Sequence, residues 1–136
     1  MSFVLDASTT LAWAIEDERN ALALAVLDRL ASEKAEVPSH WALEVANGLL
    51  MAVRRKRLRD TARLDALATL ADLPIQADDE TAARAGHKTT AIAARHGLSV
   101  YDAAYLELAG RRRLRLATLD RSLEAAARAA GVELLA

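Results

Sequence analysis

The stretch Ser2-Phe3-Val4-Leu5-Asp6 opens the chain with an apolar, strand-forming run that ends at a carboxylate. Three hydroxyl residues lie within the next four positions, and such residues favour the start of a helix. Short apolar runs recur along the chain and alternate with longer segments of helical character. This alternation is typical of helices packed around a mostly parallel sheet, so we predict an α/β fold.

The same pattern predicts five strands and seven helices. The strands are expected near residues 2–5, 35–37, 74–76, 114–117 and 132–135. The helices are expected at about residues 7–16, 20–32, 39–56, 61–72, 79–96, 99–109 and 121–130. In such a fold, ligands bind outside the carboxyl ends of the strands, where the strand order reverses. Acidic residues directly after strands are therefore candidates for a functional site.

The composition excludes several classes of protein. A length of 136 residues suits one domain, and the net charge of −1 balances 18 basic against 19 acidic residues. The lack of cysteine excludes disulfides, thiolate metal sites and a cysteine nucleophile. The first apolar run is too short for a signal peptide, and no run approaches the roughly 20 residues of a membrane span. We therefore expect a soluble, cytoplasmic protein of one domain, residues 1–136.

Two acids follow predicted strands. Asp6 comes after the first strand, and Asp120 comes after the predicted strand at 114–117, each just before a helix. Each one alone is explained equally well as a helix cap. Because the carboxyl ends of parallel strands meet at one edge of a sheet, we expect the two carboxylates to converge.

A third acid, Glu44, is the only acidic residue between Ser39 and Val53. On a helix, His40, Glu44 and Asn47 lie on one face, and nearly everything around them is apolar. This polar stripe either faces solvent or lines a cleft.

The fourth acid, Asp102, lies near the start of the predicted helix at 99–109. The other charged residue of that helix is Glu107, which falls on a different face. The simplest interpretation is that Ser99 caps the helix and Asp102 assists the cap. The alternative is that Asp102 points to a cation, because an unpaired carboxylate among apolar side chains is costly.

Together, the four acids suggest a site for a hard divalent cation such as Mg²⁺ or Mn²⁺. Such sites commonly serve phosphoryl chemistry, in which a cation activates water and stabilises charge on phosphate. A rival interpretation is an aspartyl-phosphate phosphatase with Asp6 as its nucleophile. Those enzymes usually carry a second aspartate two residues later, where this chain has Ser8.

Basic and apolar residues outside the four acids suggest binding surfaces. Basic residues at 54–59, with Arg54, Arg55 and Arg57 foremost, and at 111–115 are candidates for RNA phosphate contacts. Their simpler role is to complement the dipole at a helix C-terminus. Six apolar residues of the first helices exceed what one buried face needs and predict a partner surface; they are Leu11, Trp13, Ile15, Leu22, Leu24 and Leu27.

The ordered motifs resemble those of PIN domains, especially the VapC-like toxin ribonucleases of toxin–antitoxin pairs. The matching segments are Val4-Leu5-Asp6-Ala7-Ser8, Pro38-Ser39 through Glu44-Val45-Ala46-Asn47, Leu98-Ser99-Val100-Tyr101-Asp102-Ala103-Ala104-Tyr105, and Leu116-Ala117-Thr118-Leu119-Asp120. They follow the order of the family and spread over nearly the whole chain.

The resemblance implies a three-layer α/β/α sandwich with a five-stranded parallel sheet, and a metal-dependent endoribonuclease in which water attacks the phosphodiester. Asp6 and Asp102 correspond to the acids that hold Mg²⁺ or Mn²⁺, and Glu44 and Asp120 correspond to the other two acids of the pocket. Ser8 and Thr118 correspond to supporting hydroxyls. The implied partners are RNA, a cognate antitoxin and a second copy of the chain. The non-enzymatic alternative is a PIN-like domain that binds RNA or a partner without cleavage.

Overall fold

Four parallel strands form the central sheet in the computed structural model, which describes residues 1–135. The strands are β1 (Ser2–Leu5), β2 (Lys34–Val37), β3 (Ile75–Ala77) and β4 (Leu116–Ala117). Their order in the sheet is β3-β2-β1-β4, and all three pairings are parallel. The chain builds outward from β1 to β3 and then returns to the other side of β1. The strand order therefore reverses between β1 and β4, which is where an open α/β sheet binds its ligands.

Eight α-helices connect and flank the strands. They are α1 (Ala7–Ala14), α2 (Ala21–Arg29), α3 (Trp41–Arg54), α4 (Asp60–Ala71), α5 (Thr81–Arg84), α6 (Thr90–His96), α7 (Val100–Arg112) and α8 (Arg121–Ala129). The helix predicted over 79–96 is present from Thr81 to His96, and a π-helical turn at Ala85–Thr89 lies between its segments α5 and α6. Gly97 ends α6 with φ of 66°, a left-handed conformation that favours glycine.

The two faces of the sheet follow the alternation of side chains along β1. Phe3 and Leu5 pack with Val26 of α2 on one face, whereas Val4 packs with Leu106 of α7 on the other. Every residue of α7 from 103 to 109 is buried, so this helix lies at the centre of its layer. The predicted α/β/α sandwich is confirmed.

The prediction of a fifth strand at 132–135 is wrong. That segment makes a single parallel bridge, in which Leu134 pairs with Leu116. Two hydrogen bonds form it, from the Leu116 N–H to the Glu133 oxygen and from the Leu135 N–H to the Leu116 oxygen, each 2.9 Å. Since β4 has only two residues, its outer edge offers too little backbone for a longer ladder.

The apolar surface predicted on the first helices is smaller than expected. Ile15 is buried, and Trp13 and Leu27 are partly buried against the core. Leu22 and Leu24 remain exposed, at 37% and 41% of their surface. Within residues 1–135, no helix combines the length and the apolar character needed to cross a bilayer.

Candidate active site

The carboxyl ends of β1 and β4 bring together side chains that are more than 100 residues apart in the chain. The Asp6 N–H donates to the Ala117 oxygen at 3.0 Å, which extends the pairing of the two strands by one residue. Thr118 follows directly. Its hydroxyl donates to Asp6 Oδ2 at 2.7 Å. This edge of the sheet therefore brings Thr118 against Asp6, and the convergence of Asp6 with Asp120 stays a prediction.

Asp6 is held by two hydroxyls on one oxygen. Ser8 Oγ also donates to Asp6 Oδ2, at 2.6 Å, while neither of these bonds uses Oδ1. Asp6 precedes α1, yet its side chain makes no capping bond to that helix. The capping interpretation of this carboxylate therefore fails.

Burial disfavours the ionised form of Asp6. Only 4% of the residue is exposed, and this desolvation raises the pKa of its carboxyl to about 6. The Ser8 and Thr118 hydroxyls lower the pKa, whereas the negative charges of Glu44 and Asp102 raise it. Three of the four predicted acids thus lie close enough for the charges of two of them to change the pKa of Asp6.

The two hydroxyl residues also tie the loop after β4 to Asp6. Ser8 Oγ accepts the Leu119 N–H at 3.0 Å, and Thr118 Oγ1 accepts the Asp120 N–H at 3.0 Å. Each hydroxyl donates a hydrogen bond to Asp6 and accepts one from a backbone N–H. The position of Asp6 is consequently coupled to that of Asp120.

Glu44 reaches the pocket from α3 and is held by a hydroxyl donor and an ion pair. The Tyr105 hydroxyl donates to Glu44 Oε1 at 2.7 Å, and His40 Nε2 lies 3.0 Å from the same oxygen. The His40 Nε2 also lies 3.0 Å from the Tyr101 carbonyl oxygen. Because both partners are acceptors, Nε2 carries a proton. The hydrogen bond to Glu44 is the main reason that the pKa of His40 is raised.

Asp102 lies in the first turn of α7, where Ser99 caps the helix. Ser99 Oγ accepts the Asp102 N–H at 3.1 Å, so the cap uses the backbone of Asp102. Burial raises the pKa of the Asp102 carboxyl, and the charges of Asp120 and Glu44 raise it further. The carboxylate therefore belongs to the acidic pocket, while the capping is done by the serine.

Asp120 combines the two roles that its sequence position allowed. Its Oδ1 accepts the Leu123 N–H at 2.9 Å, which caps α8. Its charge nevertheless acts on Asp102 across the pocket. Capping and proximity to the other acids are both present for this residue.

Among residues 1–135, no lysine or arginine forms an ion pair with Asp6, Glu44, Asp102 or Asp120, and His40 is the one basic partner. Buried Asp6 and the half-buried carboxylates of Glu44, Asp102 and Asp120 therefore lack a strong internal counter-charge. Such an arrangement fits a site that takes its positive charge from a bound cation.

A second acidic group behaves differently. One ligand atom each from Asp78, Asp79 and Glu80 lie within 4.8 Å of one another, and among residues 1–135 they are the one group of acids or histidines this tight. However, Arg111 Nη2 binds Asp78 Oδ2 at 2.6 Å, and its Nη1 binds Glu80 at 3.2 Å. Arg111 also pairs with buried Glu107 at 3.0 Å. Arg111 thus already pairs with two of the three carboxylates of this group.

The predicted RNA-contact residues lie away from the acids. Arg54 and Arg55 are exposed at the C-terminal end of α3. Ten residues of helix separate Arg54 from Glu44, or about 15 Å along the axis. Arg57 is engaged in a two-bond ion pair with Asp17, at 2.7 and 3.1 Å.

Sequence reasoning missed the partners that hold Glu44. Tyr105 is 61 positions away, and no local pattern joins the two. The spacing of His40 and Glu44, four residues apart on one helix face, could have indicated their contact. The same spacing of Glu107 and Arg111 could have indicated that Arg111 serves an internal ion pair.

Comparison with known proteins agrees with this geometry. A PIN domain profile matches residues 3–129. Ribonuclease VapC3 from Pyrobaculum aerophilum is 34% identical over 125 residues, which cover 90% of this chain and 92% of that protein. The crystal structure of PAE2754 from Pyrobaculum aerophilum has a TM-score of 0.69 at 23% identity, over 93% of this chain and 79% of that one. FitAcB from Neisseria gonorrhoeae has a TM-score of 0.53 at 21% identity, over 100% and 97%.

The two solved structures establish the fold, and the profile and the ribonuclease relative establish the family. Both matches run over nearly the whole chain, and the profile match includes all four segments that carry the resemblance to PIN domains. The resemblance inferred from the motifs is confirmed. The chain belongs to the PIN domain family.

Proposed function

We propose that this chain is an endoribonuclease that requires Mg²⁺ or Mn²⁺ and serves as the toxin of a toxin–antitoxin pair. The observation that carries the proposal is the convergence of Asp6, Glu44, Asp102 and Asp120 with no lysine or arginine paired to them among residues 1–135. The similarity to a ribonuclease VapC supports RNA as the substrate.

The donor set fits a hard cation. All four side chains offer carboxylate oxygens, and Asp6 and Asp102 are the residues assigned to hold the ion. When bound, Mg²⁺ or Mn²⁺ would lower the pKa of an attacking water and stabilise the charge on the phosphate.

The other residues of the pocket have distinct roles. Ser8 and Thr118 fix Asp6 Oδ2 and so determine where Oδ1 points. Glu44 and Asp120 supply further negative charge and acceptors to orient water. Arg54 and Arg55 are the free candidates for contacts with more distant phosphates, since Arg57 is committed to Asp17.

The assignment as a toxin implies further partners. We propose a cognate antitoxin that covers the acidic pocket, a homodimer, and action in the cytoplasm as one domain spanning residues 1–136. These proposals rest on the similarity to the VapC family and on the exposed apolar residues Leu22 and Leu24.

The test is cleavage of a mixed RNA pool by the purified chain, with Mg²⁺, with Mn²⁺ or with EDTA. Asp6→Ala and Asp102→Ala are expected to abolish cleavage, while Asp65→Ala, an exposed site on α4, keeps it. Cleavage that survives EDTA or either pocket substitution would refute the metal-nuclease proposal. RNA binding without cleavage would favour the non-catalytic alternative, and a phosphoryl group trapped on Asp6 would favour the phosphatase.

A further inference from the structure

The Tyr105 hydroxyl donates to Glu44 Oε1 at 2.7 Å. The residue is 0% exposed, and its ring is part of the core between α7 and the sheet. Burial raises the pKa of the phenol, and the charges of both Asp6 and Glu44 raise it further. Tyr105 follows Asp102 by three residues, so α7 presents both on the same side. The ring of Tyr105 thus lies in the core, while its hydroxyl lies at the acidic site.

Glu44 and Asp6 are held in the same manner. Both hydroxyl donors of Asp6 act on Oδ2 and not on Oδ1. The Tyr105 hydroxyl donates to Glu44 Oε1, and His40 Nε2 pairs with the same oxygen and not with Oε2. In each carboxylate, one oxygen is fixed by protein donors and the other takes no part in those bonds. This arrangement orients each carboxylate through one oxygen and leaves the other oxygen available as an acceptor.

Glu44 needs such support more than Asp6 does. Its side chain is 32% exposed and has three rotatable bonds, so it has rotameric freedom to swing toward solvent. The tyrosine ring, in contrast, is locked by core packing. A hydrogen bond from the rigid phenol therefore selects one orientation of a mobile carboxylate.

We propose that Tyr105 is a positioning residue, whose hydroxyl aims Glu44 Oε2 into the pocket; the inference rests on the proposed nuclease function. The alternative is that Glu44 merely satisfies a buried phenol. In that case the bond affects folding stability and leaves cleavage unchanged.

Tyr105→Phe tests the proposal, because it removes the hydroxyl and keeps the ring. We expect kcat of RNA cleavage to fall by about 10–100-fold with little change in KM, as is typical when the partner of a site carboxylate is lost. Tyr101→Phe is the matched control: Tyr101 is the other tyrosine, lies on the same helix and is 68% exposed. It is expected to cleave like wild type. Wild-type kcat in Tyr105→Phe would overturn the proposal.

A double-mutant cycle separates positioning from a general structural effect. Glu44→Asp keeps the charge but withdraws the carboxylate from the phenol, so it is expected to lose a similar factor. In that background, Tyr105→Phe is expected to add little further loss. Equal loss in both backgrounds would overturn the proposal. So would wild-type activity in Glu44→Asp, even if Tyr105→Phe did not fold. Absence of cleavage by the wild type would instead refute the nuclease function itself.

Discussion

Replacing Asp6 with asparagine is predicted to stabilise the metal-free protein at neutral pH. Burial raises the pKa of the Asp6 carboxyl from 3.8 to about 6. Each pKa unit corresponds to 1.36 kcal/mol, so the ionised carboxylate costs about 3 kcal/mol of unfolding free energy. Asparagine carries no charge, and its carbonyl oxygen can still accept the hydrogen bonds from Ser8 and Thr118.

The stability that Asp6→Asn gains over the wild type depends on pH. Below the unfolded pKa of 3.8, Asp6 is protonated in both states, and its ionisation costs nothing. As the pH rises, the unfolded state loses this proton first, so the wild type loses stability until the pH passes the folded pKa of about 6. The advantage of the asparagine variant should therefore grow from near zero at about pH 4 to its full value above about pH 6.

Urea denaturation in EDTA, repeated between pH 4 and pH 8, measures this difference. Asp65→Asn, on the exposed face of α4, is the matched control and is expected to show no comparable gain. Equal stability of the wild type and Asp6→Asn at pH 7 would refute the reasoning. A gain that did not change with pH would refute it as well, because the cause would then be packing and not charge.

Other substitutions test the separate roles of the surrounding residues. Asp102→Asn should abolish cleavage in an RNA assay and leave the thermal transition in place, whereas Ser99→Ala should cost about 1 kcal/mol of stability in urea titrations because the cap is lost. Arg111→Met should lower the unfolding free energy by about 3–5 kcal/mol, since buried carboxylates would lose their partner. Gly48→Ala should cost about 1–3 kcal/mol by calorimetry, because its Cβ would lie 2.5 Å from Leu11 Cδ1.

Much of the fold was predictable because its signals are local. The run Ser2–Leu5 alternates between two buried faces, and such a strand can be recognised from its own residues. The strand predicted at 132–135 had the same signal. Whether it formed depended on the length of its neighbour β4, which is only two residues. The π-helical turn within 79–96 contains Gly86 but ends at neither a glycine nor a proline, so its position could not be predicted from such residues.

The sequence predicted the acids of the pocket and the hydroxyls of Ser8 and Thr118 that hold Asp6, but not the tyrosine that holds Glu44. An acid after a strand has a position set by topology, which explains why Asp6 and Asp120 could be predicted at one edge of the sheet. The tyrosine that holds Glu44 depends on how α3 and α7 pack, and no spacing in the chain encodes it. For the same reason, Arg111 resembled an RNA contact in the sequence and forms an internal ion pair in the structure.

Anomalous diffraction from crystals soaked in Mn²⁺ tests the central claim most directly. The account predicts anomalous density between the carboxylates of Asp6 and Asp102, and its loss in Asp6→Asn crystals. The acidic group at Asp78, Asp79 and Glu80 should remain without Mn²⁺, because Arg111 already pairs with two of its carboxylates. Density at that second group alone, or a pocket that binds no Mn²⁺, would contradict the account.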